Sequence, residues 1–169
     1  GKWLTSAEPT TGSNSGPSPD GGYVLRSRLK KPFSYLHPFG LFPHVVEVID
    51  SKGTVVSTVV ERPLQDKVPI EGVPTGPRAI RWVPTSPHSL MWVEAQDEGD
   101  PKQKVPHRDI VFTSAIGGKT MELVKLEHRY AGLDFLPTGN RMLVRDYDRE
   151  RKWGRTFLVS TRLAPRRGR

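Results

Sequence analysis

The sequence predicts an all-β fold, and three observations predict it. Glycine and proline supply 16 residues each of the 169, and both disfavour helix interiors. No segment sustains an apolar period of 3.6 residues. Instead, short β-branched and aromatic runs alternate with clusters of Gly, Pro, Asn, Asp and Ser, the pattern of strands joined by turns.

Taken in order, the elements start late. Sixteen of the first 22 residues are Gly, Ser, Thr, Pro or Asn, which is linker composition. Residues 1–19 are therefore expected as a flexible leader, in which Trp3 and Leu4 could dock as an extra strand of a longer parent protein. The chain starts Gly-Lys-Trp-Leu without Met, as expected of a processed chain or a piece of a longer one. Residues 23–28 form the first expected strand. Residues 45–49 and 54–60 flank the turn Asp50-Ser51-Lys52-Gly53, a hairpin signature. Residues 62–77 carry Pro63, Pro69, Pro74 and Pro77 with Gly72 and Gly76, so an irregular connection is expected there. Strands are expected next at 79–83 and 90–95, then, after a polar loop at 96–107, at 110–113 and 121–126. A final group comprises 131–136, the turn Pro137-Thr138-Gly139-Asn140, 141–147 and 156–160.

An internal similarity organises these strands. Trp82-Val83-Pro84 leads through a turn into Leu90-Met91-Trp92-Val93, and Phe135-Leu136-Pro137 leads into Met142-Leu143-Val144. A weaker copy runs from Pro17-Ser18-Pro19 into Tyr23-Val24-Leu25. Prolines 19, 84 and 137 stand 65 and 53 residues apart, the scale of a propeller blade lengthened by loops. Each copy reads as strand, turn, strand, and the two strands after it would complete four. Residues 20–161 are thus expected as a partial β-propeller of two to three four-stranded blades, followed by a basic tail at 162–169. Closed propellers have about 4–8 blades, so the expectation is a fragment of a larger propeller with bare sheet edges.

Charge and composition exclude several functions. The formal net charge is +8. Residues 141–169 hold ten basic and three acidic residues, and residues 1–140 hold sixteen and fifteen. The excess is terminal, which suits unspecific polyanion contact. No groove-reading or base-stacking motif accompanies it, so no specific nucleic-acid partner is expected. No run approaches the ~18 apolar residues of a membrane helix, and no membrane association is expected. Cysteine is absent, which removes disulfides, thiolate metal sites and a cysteine nucleophile. His37, His44, His88, His107 and His128 show no paired ligand spacing. No metal and no cofactor are expected, and the compartment is left open.

Several stretches in fixed order carry a family resemblance. They are Lys31-Pro32-Phe33-Ser34-Tyr35-Leu36-His37-Pro38, Phe42-Pro43-His44-Val45-Val46-Glu47-Val48 and Gly76-Pro77-Arg78-Ala79-Ile80-Arg81-Trp82. The strongest run from Leu90 through Glu94-Ala95-Gln96-Asp97-Glu98-Gly99-Asp100-Pro101 and over Val105-Pro106-His107-Arg108-Asp109. Leu126-Glu127-His128-Arg129-Tyr130 and Tyr147-Asp148-Arg149-Glu150-Arg151-Lys152-Trp153 extend the match. Residues 17–161 resemble the N-terminal β-propeller of the prolyl-oligopeptidase-type serine peptidases. The similarity is greatest to the branch holding bacterial peptidases and plant chloroplast glutamyl endopeptidases. The resemblance implies a catalytic α/β-hydrolase domain C-terminal to the propeller and outside this chain. It also implies peptide substrates reaching that domain past the propeller. A nucleophile elbow needs Gly-x-Ser-x-Gly. The nearest string, Gly12-Ser13-Asn14-Ser15-Gly16, centres on Asn. No catalytic residue is therefore expected in this chain.

The remaining candidates each have a structural and a functional reading. His107-Arg108-Asp109 has the residue order of a kinase catalytic loop, but the Asn required five residues after the Asp is Ser114. A loop-to-strand junction with Asp109 accepting hydrogen bonds is the simpler reading, and a lining of the substrate chamber the functional one. Glu94, Asp97, Glu98 and Asp100 read as a solvated loop pairing with Arg or Lys, since their spacing does not fit a calcium loop. In a peptidase lid Glu94 could tune the entry field. Trp82, Trp92 and Phe135 read as blade core. Residues 146–155 read as a solvated hairpin. Under the family resemblance, Arg149 and Arg151 become candidates for meeting an acidic substrate group through the guanidinium fork. The alternative from another class is a stand-alone β-repeat module that binds protein, or itself, through exposed sheet edges.

Overall fold

A computed structural model of the chain describes residues 16–161, apart from 32, 34, 35, 37, 138 and 139. The expected leader up to residue 15 and the basic tail 162–169 lie outside the described residues. Among the described residues, eleven strands form three antiparallel sheets. The first sheet has β1 (Gly16–Pro17), β2 (Tyr23–Leu29), β3 (His44–Asp50) and β4 (Val55–Arg62), side by side in that order. The second has β5 (Arg78–Trp82), β6 (Ser89–Ala95), β7 (Asp109–Ala115) and β8 (Met121–Leu126). The third has β9 (Arg129–Phe135), β10 (Arg141–Asp148) and β11 (Trp153–Ser160). Each sheet is a meander in chain order, the arrangement of a propeller blade. The chain is all-β, with three consecutive blade-like sheets and no closed ring among the described residues. The internal similarity maps onto the first two strands of each sheet. Residues 63–77 carry no strand, as their prolines lead one to expect.

The sheets stack face to face through side chains that alternate along each strand. In β6 the alternation is complete. Leu90 and Trp92 point into a core shared with Leu25, Val46 and Val48 of the first sheet. Met91 and Val93 point into a second core with Leu133, Met142 and Val144 of the third. A strand buried on both faces needs an unbroken apolar run, which accounts for Leu90-Met91-Trp92-Val93. Trp92 stacks on Phe112 with centroids 6.0 Å apart. The first strands of neighbouring sheets also touch. Trp82 Nε1 donates to Gly16 O at 2.9 Å, and Arg81 Nη1 donates to Leu133 O at 3.2 Å.

The far face of the first sheet is closed differently. Glu47 sits mid-strand and is 5% exposed. Arg26 reaches it at 2.8 Å, and Arg28 makes a two-pronged contact at 3.0 Å on each prong. The hydrogen bonds from Arg28, then Arg26, hold the Glu47 carboxyl below its ordinary range against the opposing effect of burial. The arginine stems cover apolar surface that faces no other sheet among the described residues.

The connection 63–77 is pinned to the loop after β6. Val73 N donates to Gly99 O at 3.0 Å. Gly99 has φ +76°, and a Cβ there would lie 1.9 Å from Val73 O. Backbone conformation and close approach both demand glycine. Gly99→Ala is expected to lower unfolding free energy by at least about 2 kcal/mol, read as a shift in the urea midpoint. An unchanged midpoint would show that this crossing is not tight.

Candidate functional site

Alternating strand direction sorts the connections to two ends of the molecule. One end carries the short turns 18–22, 51–54, 83–88, 116–120 and 136–140. The other carries the long connections 30–43, 63–77 and 96–108, the link 127–128 and the turn 149–152. His107, Arg108, Asp109, Arg149 and Arg151 all lie at the second end, and Glu94 lies one residue before the end of β6 on that side. Sequence separation had given no sign that they share an end.

A buried charge cluster sits where the second and third sheets meet at this end. Asp109 is fully buried at the start of β7. Its Oδ1 accepts from Arg78 of β5 and from Arg129 Nη1 of β9 at 2.9 Å. Its Oδ2 accepts the Tyr130 backbone N–H at 2.5 Å. Asp97, also fully buried, accepts from Arg108 Nη1 at 2.8 Å, from Arg129 Nη2 and from the Gly99 N–H at 3.2 Å. Arg129 thus joins both carboxylates. Arg78 lies over the Tyr130 ring at 5.9 Å. Arg62, at the end of β4, donates to Pro77 O. Burial, then the nearby Arg78 charge, lowers its pKa from the ordinary value. A third buried carboxylate, Asp146, holds Arg155 at 2.7 and 3.1 Å and accepts the His128 N–H at 3.2 Å. Burial pushes the Asp146 carboxyl up, but the Arg155 and His128 hydrogen bonds outweigh it and leave the carboxyl below its usual range.

The candidates from sequence do not converge on one pocket. Arg108 enters the cluster through Nη1 and Asp109 through both carboxylate oxygens. The His107 ring is half-buried, and its Nδ1 has no hydrogen-bond partner among the described residues. Glu94 accepts from Trp92 Nε1 at 2.6 Å. Arg149 pairs with Glu71 at 2.7 Å, and Arg151 approaches Asp148 at 3.6 Å, both at the exposed turn. Glu98 and Asp100 accept from Gln103 Nε2 and from the Lys102 backbone N–H. No group of three or more His, Asp or Glu that could hold a metal ion occurs among the described residues. A cavity of about 310 Å³ between the first two sheets is lined by Ser57, Val59, Pro77, Leu90, Trp92 and the β7–β8 turn. It holds no carboxylate, histidine, lysine or arginine. Sequence reasoning passed over Arg78 and Arg129. Each is an ordinary strand-edge arginine in sequence, and only the packing of two sheets brings them to Asp109.

The cluster therefore holds each of its carboxylates with guanidinium and backbone N–H donors. Its chemistry is that of a buried multi-residue ion pair that fixes how two sheets and their end loops meet. Fold and site together define a class: an all-β chain of blade-like antiparallel sheets, cross-linked by buried ion pairs at its long-loop end. Comparison with known proteins adds a more particular likeness. The chain is 35% identical over 150 residues to the probable chloroplastic glutamyl endopeptidase of Oryza sativa subsp. japonica, covering 85% of this chain and 16% of that protein. It is 34% identical over 150 residues to the protein of the same description in Arabidopsis thaliana, covering 85% of this chain and 15% of that protein. The chain thus spans about one sixth of the length of the curated relatives it matches. No family model matches the chain, and no solved structure matches it.

Two outcomes follow from this geometry. Asp109→Asn leaves the half-buried Arg78 beside a neutral group and takes one of two carboxylates from Arg129, and a loss of about 3–5 kcal/mol in unfolding free energy is expected. A denaturant titration checks it, and a loss below about 1 kcal/mol would show that the cluster is hydrated. The second outcome concerns acid. Glu47 and Asp146 have folded pKa values below their unfolded ones. Their contribution is fully present above the ordinary carboxylate range and is lost as pH falls through the folded values. Thermal midpoints of the parent chain should drop as pH falls below about 4.5, and Glu47→Gln should flatten that drop.

Proposed function

We propose that this chain is the non-catalytic, substrate-gating propeller segment of a prolyl-oligopeptidase-like serine peptidase that hydrolyses peptides. The observation that carries this reading is the collinear likeness to glutamyl endopeptidases over 85% of the chain. Two others support it. The sheets repeat as consecutive antiparallel meanders, and the sequence contains no Gly-x-Ser-x-Gly. In this reading the segment acts sterically. Its sheets form part of a chamber wall, and the long-loop end presents charged groups, Arg149 and Arg151 among them, towards entering peptides. A guanidinium fork there suits an acidic side chain. The hydrolytic Ser, His and Asp belong to a domain outside these 169 residues. The second reading, a stand-alone β-repeat module binding protein through a sheet edge, draws on the edge strands that end each sheet among the described residues.

Two measurements separate the readings. The reading frame 3′ of Arg169 is expected to encode several hundred further residues containing a nucleophile elbow; a stop codon there favours the binding module. The purified 169-residue chain is expected to release nothing from fluorogenic glutamyl peptides. Turnover that a serine-directed inhibitor abolishes would overturn the non-catalytic assignment.

A further inference from the structure

Arg62 is the only lysine or arginine among the described residues that is less than a tenth exposed, at 8%. It ends β4 opposite His44 and reaches from the first sheet to the second, where its Nη2 donates to Pro77 O, the carbonyl just before β5. A guanidinium stays charged at neutral pH, and a buried charge needs a counter-charge. Less deeply placed arginines have one. Arg26 and Arg28 share Glu47, Arg78 and Arg129 share Asp109, and Arg155 holds Asp146. Arg62 forms no ion pair among the described residues. The charge that bears on it is that of Arg78, which has the same sign. Glu61, next to it in sequence, is exposed and pairs with Lys30.

Two buried N–H groups at this place have no acceptor, the Nε of Arg62 and the Nε of Arg78. Such orphans are few in native proteins, and an unseen ion or water is a standard reason for them. The charge balance selects the ion. At this end the guanidiniums of Arg62, Arg78, Arg108 and Arg129 meet the carboxylates of Asp97 and Asp109, four positive charges against two negative ones. The seat is closed by this chain's own β4, Pro77 and Arg78, so its burial depends on no further segment. Pro77, whose carbonyl Arg62 holds, also lines the cavity between the first two sheets. Open space therefore reaches the residue that Arg62 holds.

We propose that Arg62, with Arg78 beside it, binds a chloride ion between the first and second sheets. The free donors select a compact anion. On both arginines Nη2 is already engaged, by Pro77 O on Arg62 and by Asp109 on Arg78, and Nε is left over. A carboxylate or phosphate takes two parallel N–H groups of one guanidinium, and that fork is half spent on each. A single spherical ion accepts N–H groups from any direction and needs little room. Its charge offsets the repulsion between the two guanidiniums, so β4 and β5 can meet there. This inference stands independently of the peptidase reading.

Thermal unfolding of the whole chain tests it, with chloride exchanged for gluconate at constant ionic strength so that general screening is unchanged. The midpoint should rise saturably, by about 3–6 °C at about 150 mM chloride for a dissociation constant of about 10 mM. Arg62→Met keeps the length of the side chain without its charge and should show no rise. Lys52→Met, at an exposed turn of the opposite end, should rise like the parent. If Arg62→Met does not fold, nitrogen-15 spectra of the parent give a second readout. The Nε–H signals of Arg62 and Arg78 should shift along one saturating chloride curve, and that of Arg155, already bonded to Asp146, should stay. A parent midpoint indifferent to chloride overturns the proposal, as does an equal rise in Arg62→Met or a stationary Arg62 signal. A rise with formate and none with chloride also overturns it and makes the seat one for a carboxylate.

Discussion

A carboxylate buried between sheets cannot remain charged without cations at hand, and Asp109 organises its surroundings on that requirement. Its two oxygens take a guanidinium from β5, a guanidinium from β9 and a backbone N–H from the start of β9. Through Arg129 the same demand reaches Asp97, 32 residues earlier. Desolvation offsets much of the Coulomb attraction in such a cluster. Its structural weight lies less in net stability than in the cost of any other arrangement. Slide the third sheet along the second by one residue, and Arg129 loses both carboxylates while Asp97 and Asp109 each lose one of their cations. The ion pairs thereby set the register between sheets that nonspecific apolar contact would leave loose.

This placement bears on the proposed gating role. The loops that would face an incoming peptide rise from the strand ends that the cluster clamps. Asp97 and Arg108 fasten the long connection after β6, Val73 and Gly99 fasten the connection 63–77 to it, and Glu71 meets Arg149 of the turn after β10. A wall that excludes folded proteins by size has to keep its aperture fixed, and charges anchored at 0% exposure are a stiff way to do so. The exposed guanidiniums at the turn hold one partner each, Glu71 for Arg149 and Asp148 for Arg151. They keep the freedom to exchange those partners for an acidic side chain.

Much of the fold was legible in the sequence. Ten of the strands appear as short β-branched or aromatic runs, and the Pro-containing internal similarity found the first two strands of each sheet. What escaped was of three kinds. β1 is a two-residue Gly-Pro strand with no side-chain pattern, made a strand only by pairing with Val24 and Leu25. β9 and β11 begin earlier than hydrophobicity suggests, because Arg129, Tyr130 and Trp153-Gly154-Arg155 are drawn into the ladder by β10 rather than by their own propensity. The charge cluster was only half visible. Asp97, Arg108 and Asp109 stood out as charged residues beside a strand. Arg78 and Arg129 did not, since the contact spans 31 and 20 residues and nothing local marks it. The residues at the exposed turn were legible as charges, whereas their partners across the molecule were not.

The two-faced burial of β6 has a consequence for how the molecule comes apart. In a linear array of repeats, units open from the ends, because each interface is separately formed and separately lost. Here Leu90 and Trp92 belong to one core and Met91 and Val93 to the other, on a single strand and within four consecutive residues. Neither core can dissolve without perturbing the backbone that carries the other. The middle sheet then acts as the common hinge pin of both interfaces. Amide protons of β3, β6 and β10 would exchange with solvent through one shared opening event, while the outermost strands breathe on their own.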